Sequence, residues 1–260
     1  MIQLKYLALI FFTASTTVAS SQPIGGGLLD EMESLKQQYN LPSLSLAMSI
    51  DNKLVFAEAI GHADVEERKK ATVDSQYSIG SLAKPMTGIV LAKLADSGKI
   101  NLESPVNQYV EQPDYTNSFT VRELASHMAG IPHNTPERDD AEFVNPKDHK
   151  SPFDAFYVFA SHPLLFEPGT GYKYSSNGYI SLSAVIEQAA NMNYVDYLQS
   201  SLWSKIAMGS TVLDTSFAGK THEVTYYAEY KTDGTYIRSA SHRDRSFLFG
   251  GGGFISTPTD

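Results

Sequence analysis

Ser81 and Lys84 stand three residues apart in Ser81-Leu82-Ala83-Lys84, at the head of an apolar run, residues 81–97, with helical spacing. On a helix, residues three apart share one face, a turn apart. A hydroxyl nucleophile would then lie beside an amine able to take its proton. Serine is a poor nucleophile until such a group activates it. Lysine can do this only as the neutral amine, and its ordinary pKa is about 10.4. Burial and a nearby positive field both disfavour the ammonium form. A helix N-terminus supplies that field through its unpaired N–H groups, and the same groups can stabilise an oxyanion. Pro85 suits the first turn, where its missing N–H costs nothing. Ser and Lys are common, however, and a chain of this length holds about one Ser-x-x-Lys by chance. The pair alone leaves acyl chemistry and coincidence both open.

The elements that would position this pair are legible from periodicity. Leu28, Leu29, Met32, Leu35 and Tyr39 follow helical spacing after Gly25-Gly26-Gly27. Residues 43–50 alternate with period two, Asp51-Asn52-Lys53 forms a turn, and residues 54–60 form a second strand, together a hairpin. Residues 66–70 read as a charged loop. The nucleophile helix runs from Ser81 to near Gly98, with Ile89, Val90, Leu91 and Leu94 as its buried side. Thr120-Val121-Arg122-Glu123 is a capping box that starts a helix to His127, stopped by Gly130. Residues 132–150 read as a long polar loop. Ser151-Pro152 opens another helix, and Glu167 to Gly171 is a turn. Helices then cover residues 177–191 and 194–206. Paired strands at 222–230 and 235–239 flank Asp233-Gly234. Strands, then helices, then strands predict a mixed α/β fold of the α+β type, an antiparallel sheet flanked by helices with a helical region inserted. The expected division is an α/β part from residues 21–78 and 222–260, and a helical part from 79–221.

Composition narrows the function. The chain has 260 residues, 42% hydrophobic and 19% charged, enough to bury a core. Its formal charge of −9, without a Lys/Arg patch among aromatics, argues against a nucleic-acid partner. Residues 1–20 read as an export signal: Lys5, a short apolar core at residues 6–12, and small residues at Thr17-Val18-Ala19. That core is too short to span a membrane. Export places the protein in the periplasm or outside the cell. The chain has no cysteine, so no disulfide framework is expected. The seven histidines lack His-x-His-x-Asp or His-Glu-x-x-His spacing, so neither a metal nor another cofactor is expected. His127 and His133 read as structural or surface groups beside a turn. Residues 250–253 are four glycines without the Gly-Lys-Ser/Thr ending of a phosphate loop, and read as a tight turn entering the sheet. Gly-x-Ser-x-Gly, the mark of an α/β-hydrolase, is absent.

Four segments together resemble the serine β-lactamase and penicillin-binding-protein superfamily, in its class C-like branch. They are Tyr77-Ser78-Ile79-Gly80-Ser81-Leu82-Ala83-Lys84, Leu124-Ala125-Ser126-His127-Met128-Ala129-Gly130-Ile131-Pro132, Pro168-Gly169-Thr170 leading to Tyr174-Ser175-Ser176-Asn177-Gly178-Tyr179, and Gly251-Gly252-Gly253-Phe254-Ile255-Ser256-Thr257. They occur in the family's order and span about residues 40–260. The resemblance implies that Ser81 is the acylated nucleophile and that Lys84 takes or relays its proton. It implies that Tyr174 is a second general acid/base and that the Ser81 N–H forms half of the oxyanion hole. Without the resemblance, Tyr174 is one of 15 tyrosines.

Two departures accompany it. The family often has Asn two residues after the tyrosine; that slot holds Ser176, with Asn177 next to it. Ser176 and Asn177 are therefore the candidate substrate-binding residues, and altered substrate preference is expected. The family's third motif, Lys-Thr-Gly or His-x-Gly, falls beyond Asp260, so a truncated member with an incomplete sheet and poor activity is the expectation. The function expected is an exported serine hydrolase acting on a small-molecule or peptide substrate: a β-lactam, a D-alanyl peptide, or a small ester or peptide. The alternative is a catalytically impaired binding or scaffold protein that kept the fold.

Overall fold

Local sequence signals account for most elements around the nucleophile. The computed structural model describes residues 24–111, 118–133, 151–156, 159, 162–215, 222–238 and 244–260. The expected export signal, most of the expected 132–150 loop, and Ser239 lie outside the described residues. Helix α1 covers Ile24–Gln38 and so includes the three glycines expected to precede it. No atom lies within 4 Å of a Cβ added at Gly26 or Gly27, so packing does not dictate their identity.

Strand β1, Ser43–Ile50, pairs antiparallel with β2, Lys53–Asp64, through a turn whose central residues Asp51 and Asn52 have φ of 49° and 59°. Two positive φ values make the primed turn that matches strand twist, which Asp and Asn tolerate. The far end of β2 pairs with β3, Lys69–Lys70, in the segment expected to be only a loop. A second sheet joins distant parts of the chain, in the order β4–β8–β5. Its strands are β4, Tyr77–Ser78, β5, Val212–Leu213, and β8, Phe254–Ser256. The hairpin of β6, Tyr227–Tyr230, and β7, Tyr236–Arg238, is shorter than its sequence pattern but turns at Asp233-Gly234 as expected.

Immediately after β4, a 3₁₀ turn at Gly80–Leu82 carries Ser81 into α2, Ala83–Asp96. Pro85 sits in the first turn of α2. Helix α2 buries Met86, Val90, Leu91 and Leu94, whereas Ile89, expected on that side, is exposed. Helix α3, Val121–Ala125, begins with both halves of the predicted capping box: Thr120 Oγ1 accepts the Glu123 N–H at 3.1 Å and Glu123 Oε2 accepts the Thr120 N–H at 2.8 Å. It ends two residues before the expected His127, because His127 has a φ of 63°, outside the helical region. Helix α4, Pro152–Phe156, follows Ser151 with Pro at its first position as expected.

Helix α5, Ser176–Ala190, lies at the centre and buries Ile180, Leu182, Val185 and Ile186 on several faces. Helix α6, Tyr194–Ser201, stops at Leu202, whose φ of −129° and ψ of −67° leave the helix; a separate 3₁₀ turn, Trp203–Lys205, takes over what sequence reads as one helix. The core runs between these helices and β8, where Phe254 is fully buried and packs edge-on against Trp203 at 5.1 Å. The Ile79 N–H donates to Phe254 O at 3.0 Å, so β8 holds the loop just before the nucleophile.

Replacing an N-cap Ser or Thr by Ala typically costs about 1 kcal/mol. Thr120→Ala is expected to destabilise the fold by about that amount, read as a lower urea midpoint with unchanged slope.

Candidate active site

Ser81 is exposed, and Lys84, one turn along, is 6% exposed. The helix thus offers a hydroxyl to solvent and sinks the amine beneath it. Lys84 Nζ donates to Ser81 Oγ at 3.2 Å, to Ser176 Oγ at 3.0 Å and to the Gly251 carbonyl. The Tyr174 hydroxyl donates to the same Ser81 Oγ at 2.7 Å. Lys84 Nζ also lies 4.8 Å from the centre of the Tyr174 ring. Three groups drawn from positions 81, 84 and 174 therefore meet on one oxygen.

The acceptors around Lys84 orient it. A carbonyl oxygen only accepts, so Lys84 must keep an N–H on Gly251 O. A second N–H points to Ser176 Oγ. If the amine loses its third proton, the lone pair left over faces Ser81 Oγ. The arrangement can therefore accept the serine proton without any movement of the lysine. Gly251 belongs to the 3₁₀ turn at Ser246–Gly251. A Cβ added there would sit 2.7 Å from Ser176 O, so only glycine lets this carbonyl approach so closely. The glycine run is thus a lysine-holding turn as well as an entry to β8, a role invisible to side-chain reasoning because the group is a backbone oxygen.

Tyr174 sits on an extended segment tied to the turn after α3. The Lys173 N–H donates to His127 O at 3.0 Å and the Gly169 N–H to Met128 O at 3.0 Å. The Ser175 N–H donates to His127 Nδ1 at 3.2 Å, and the Ser176 N–H to His133 Nδ1 at 3.0 Å. Burial alone would raise the Tyr174 phenol, but hydrogen bonds with Lys84 and Ser81, the Lys84 charge and Ser176 outweigh it and bring the phenol below its ordinary value. A phenol lowered in this way is better able to exchange a proton with Ser81.

The structure does not bring Asn177 to this opening. Asn177 is fully buried and its amide donates to Pro132 O at 3.0 Å, which corrects the expectation that it faces substrate. The reason is helical geometry: Ser176 and Asn177 are the first two residues of α5 and point about 100° apart. Ser176 is itself 4% exposed and spends its hydroxyl on Lys84. Sequence reasoning also missed the bonds of His127 and His133. Their closeness to the Gly130–Pro132 turn was the available signal. Among the described residues, no group of three or more His, Cys, Asp or Glu side chains is placed to hold a metal ion, and no helix is long and apolar enough to cross a membrane.

A mixed fold of antiparallel sheets and helices, with Ser81, Lys84 and Tyr174 converging at the start of α2, defines the class of β-lactamase and penicillin-binding-protein folds. The chain belongs to the beta-lactamase family, whose model matches residues 29–260. It is similar to the human mitochondrial serine beta-lactamase-like protein LACTB, at 26% identity over 297 residues, covering 89% of this chain and 54% of that protein. The chain spans about half the length of the curated relatives it matches. Its fold is similar to that of the octameric penicillin-binding protein homologue from Pyrococcus abyssi, with a TM-score of 0.71 at 21% identity, covering 89% of this chain and 54% of the other. It is equally similar to EstCE1, described as a hydrolase with promiscuous acyltransferase activity, with a TM-score of 0.70 at 20% identity, covering 88% of this chain and 69% of the other.

Two outcomes are expected. In an ultraviolet pH titration, one tyrosine should ionise below the ordinary phenol range, and Tyr174→Phe should remove that component. Gly251→Ala should cost on the order of 1–3 kcal/mol by overpacking, read by denaturant melt, and displace Lys84 from its carbonyl.

Proposed function

We propose that this chain is an exported serine hydrolase that forms an acyl-enzyme at Ser81 with an amide or ester. The substrate classes it fits are a β-lactam, a D-alanyl peptide, or a small ester or peptide. The observation that carries the reading is the meeting of Lys84 Nζ and Tyr174 OH on Ser81 Oγ, at 3.2 and 2.7 Å. The family and the similarity in fold to a penicillin-binding protein homologue and to a hydrolase with acyltransferase activity support it. The leader pattern over residues 5–19 supports export.

The steps follow from the geometry. Ser81 loses its proton to the Lys84 lone pair while Oγ bonds to the carbonyl carbon of the substrate. The carbonyl π electrons move onto oxygen, where the Ser81 N–H is the donor that the family resemblance implies. The intermediate collapses, the bond to the leaving amine or alkoxide breaks, and the leaving group takes a proton from Tyr174, which is replenished from Lys84. Water then attacks the acyl carbon as it gives a proton to Lys84, the bond between Ser81 Oγ and the acyl carbon breaks, and Oγ takes that proton back as the acid is released. Ser176 holds Lys84 rather than the substrate, so its occupation of the family's usual Asn slot is expected to shift substrate preference through the lysine.

A fluorophosphonate probe tests the reading. Wild-type protein should label, and peptide mapping should place the adduct on Ser81. Ser81→Ala should abolish labelling with an unchanged circular-dichroism spectrum. A folded wild-type protein that labels with neither this probe nor a fluorescent penicillin would be a binding or scaffold member of the family, and the hydrolase reading would fall.

A further inference from the structure

His127 and His133 both pack against the Tyr174 ring and bond the chain just after it. The His127 ring centre is 4.6 Å from that of Tyr174, and the His133 ring centre is 5.4 Å from it, edge-on. Each imidazole uses Nδ1 to accept a backbone N–H, from Ser175 and from Ser176. His127 also takes the Lys173 N–H on its own carbonyl, so it brackets Tyr174 on both sides along the chain. Its φ of 63° turns carbonyl and ring towards the same segment.

We propose that His127 and His133 are positioning residues for Tyr174, acting as neutral, Nε2-protonated imidazoles, and that protonating His127 at acid pH disables the site. The proposal rests on the reading of Ser81 as an acylated nucleophile. An imidazole that accepts at Nδ1 must carry its proton on Nε2. The imidazolium has an N–H at both nitrogens and can accept nothing, so protonating His127 turns its bond with Ser175 into an N–H facing an N–H. The groups facing His127 are the rings of Tyr172 at 6.0 Å, Tyr174 and Tyr179 at 5.0 Å, together with the charge of Lys84. Tyr174 faces His133. Burial first, then Lys84, lowers the His127 imidazole below its ordinary value, in line with a neutral ring at working pH. The sign follows: the fold favours the neutral ring, so the bracket holds at and above neutral pH and is lost as pH falls through that lowered value.

The test measures the fluorophosphonate labelling rate of the purified chain against pH for wild type, His127→Asn and His127→Leu. Asn offers a carbonyl oxygen near the place of Nδ1, tolerates a positive φ and does not titrate. At pH 8, His127→Asn should label at least tenfold faster than His127→Leu. On the acid side, the log rate of wild type should steepen below the usual imidazole pKa, and His127→Asn should lose that extra steepness. Equal rates for Asn and Leu, or the same acid slope in wild type and Asn, would overturn the proposal. Long-range ¹⁵N–¹H NMR of wild type at pH 8 reads the tautomer without needing activity. A bare Nδ1 on His127 and His133 is expected, and a proton on either Nδ1 contradicts the bracket. Absence of labelling at every pH would instead defeat the acylation reading, while the tautomer still decides the bracket.

Discussion

A lysine amine taken out of water must be given partners, and that requirement organises the region around Ser81. Burying an unpartnered polar group costs several kcal/mol, and a charged one far more. Here Lys84, 6% exposed, is held by the Gly251 carbonyl and the Ser176 hydroxyl, from the glycine turn before β8 and from the first residue of α5. Both elements must be in place before the amine can be buried, and their arrival aims it at Ser81. Gly250 repeats the demand one step away: its added Cβ would lie 2.4 Å from Thr87 Oγ1 and 2.5 Å from Tyr194 OH, which bond each other at 2.7 Å beneath the lysine. Packing and chemistry therefore place the same constraint on the glycine run.

The second partner of Ser81 is fixed from the opposite side. The turn from His127 to His133 lines the segment from Leu165 to Asn177 with a row of acceptors: His127 O and Nδ1, Met128 O, Gly130 O, Pro132 O and His133 Nδ1. At Gly130, φ is 80° and an added Cβ would meet Phe166 O at 2.6 Å, so the two stretches run too close for a side chain. Tyr179, on the first turns of α5, closes the assembly by donating its hydroxyl to Ala125 O at 2.9 Å. Tyr174 is thus placed by backbone bonds on both of its neighbours, and its own hydroxyl is left for Ser81.

Much of this was legible in the sequence wherever a side chain announces its own local role. The Thr120–Glu123 capping box, the Asp51-Asn52 turn and the Pro85 first turn each rest on a few neighbouring residues, and each forms. Ser81 and Lys84 were legible by helical spacing, whereas Tyr174 needed the family pattern, because no local rule links position 174 to position 81. What stayed hidden has a common physical cause. The Gly251 carbonyl is a backbone group present at every residue, and only the approach of two distant elements selects it. His127 and His133 read as structural or surface groups, and their partners stayed hidden because they are backbone N–H groups more than 40 positions away. Asn177 was misplaced by one residue of helix, enough to turn it from the opening into the core.

In the proposed function, the buried Lys84 amine makes Ser81 nucleophilic. The most direct measurement is the second-order rate constant for phosphonylation of Ser81 in wild type and in Lys84→Met, an unbranched substitution that keeps an apolar stem in the same space. General-base catalysis is worth about 10²–10⁴-fold, so a loss of that size is expected with Tyr174 and the fold intact. A folded Lys84→Met protein that phosphonylates Ser81 at the wild-type rate would contradict it.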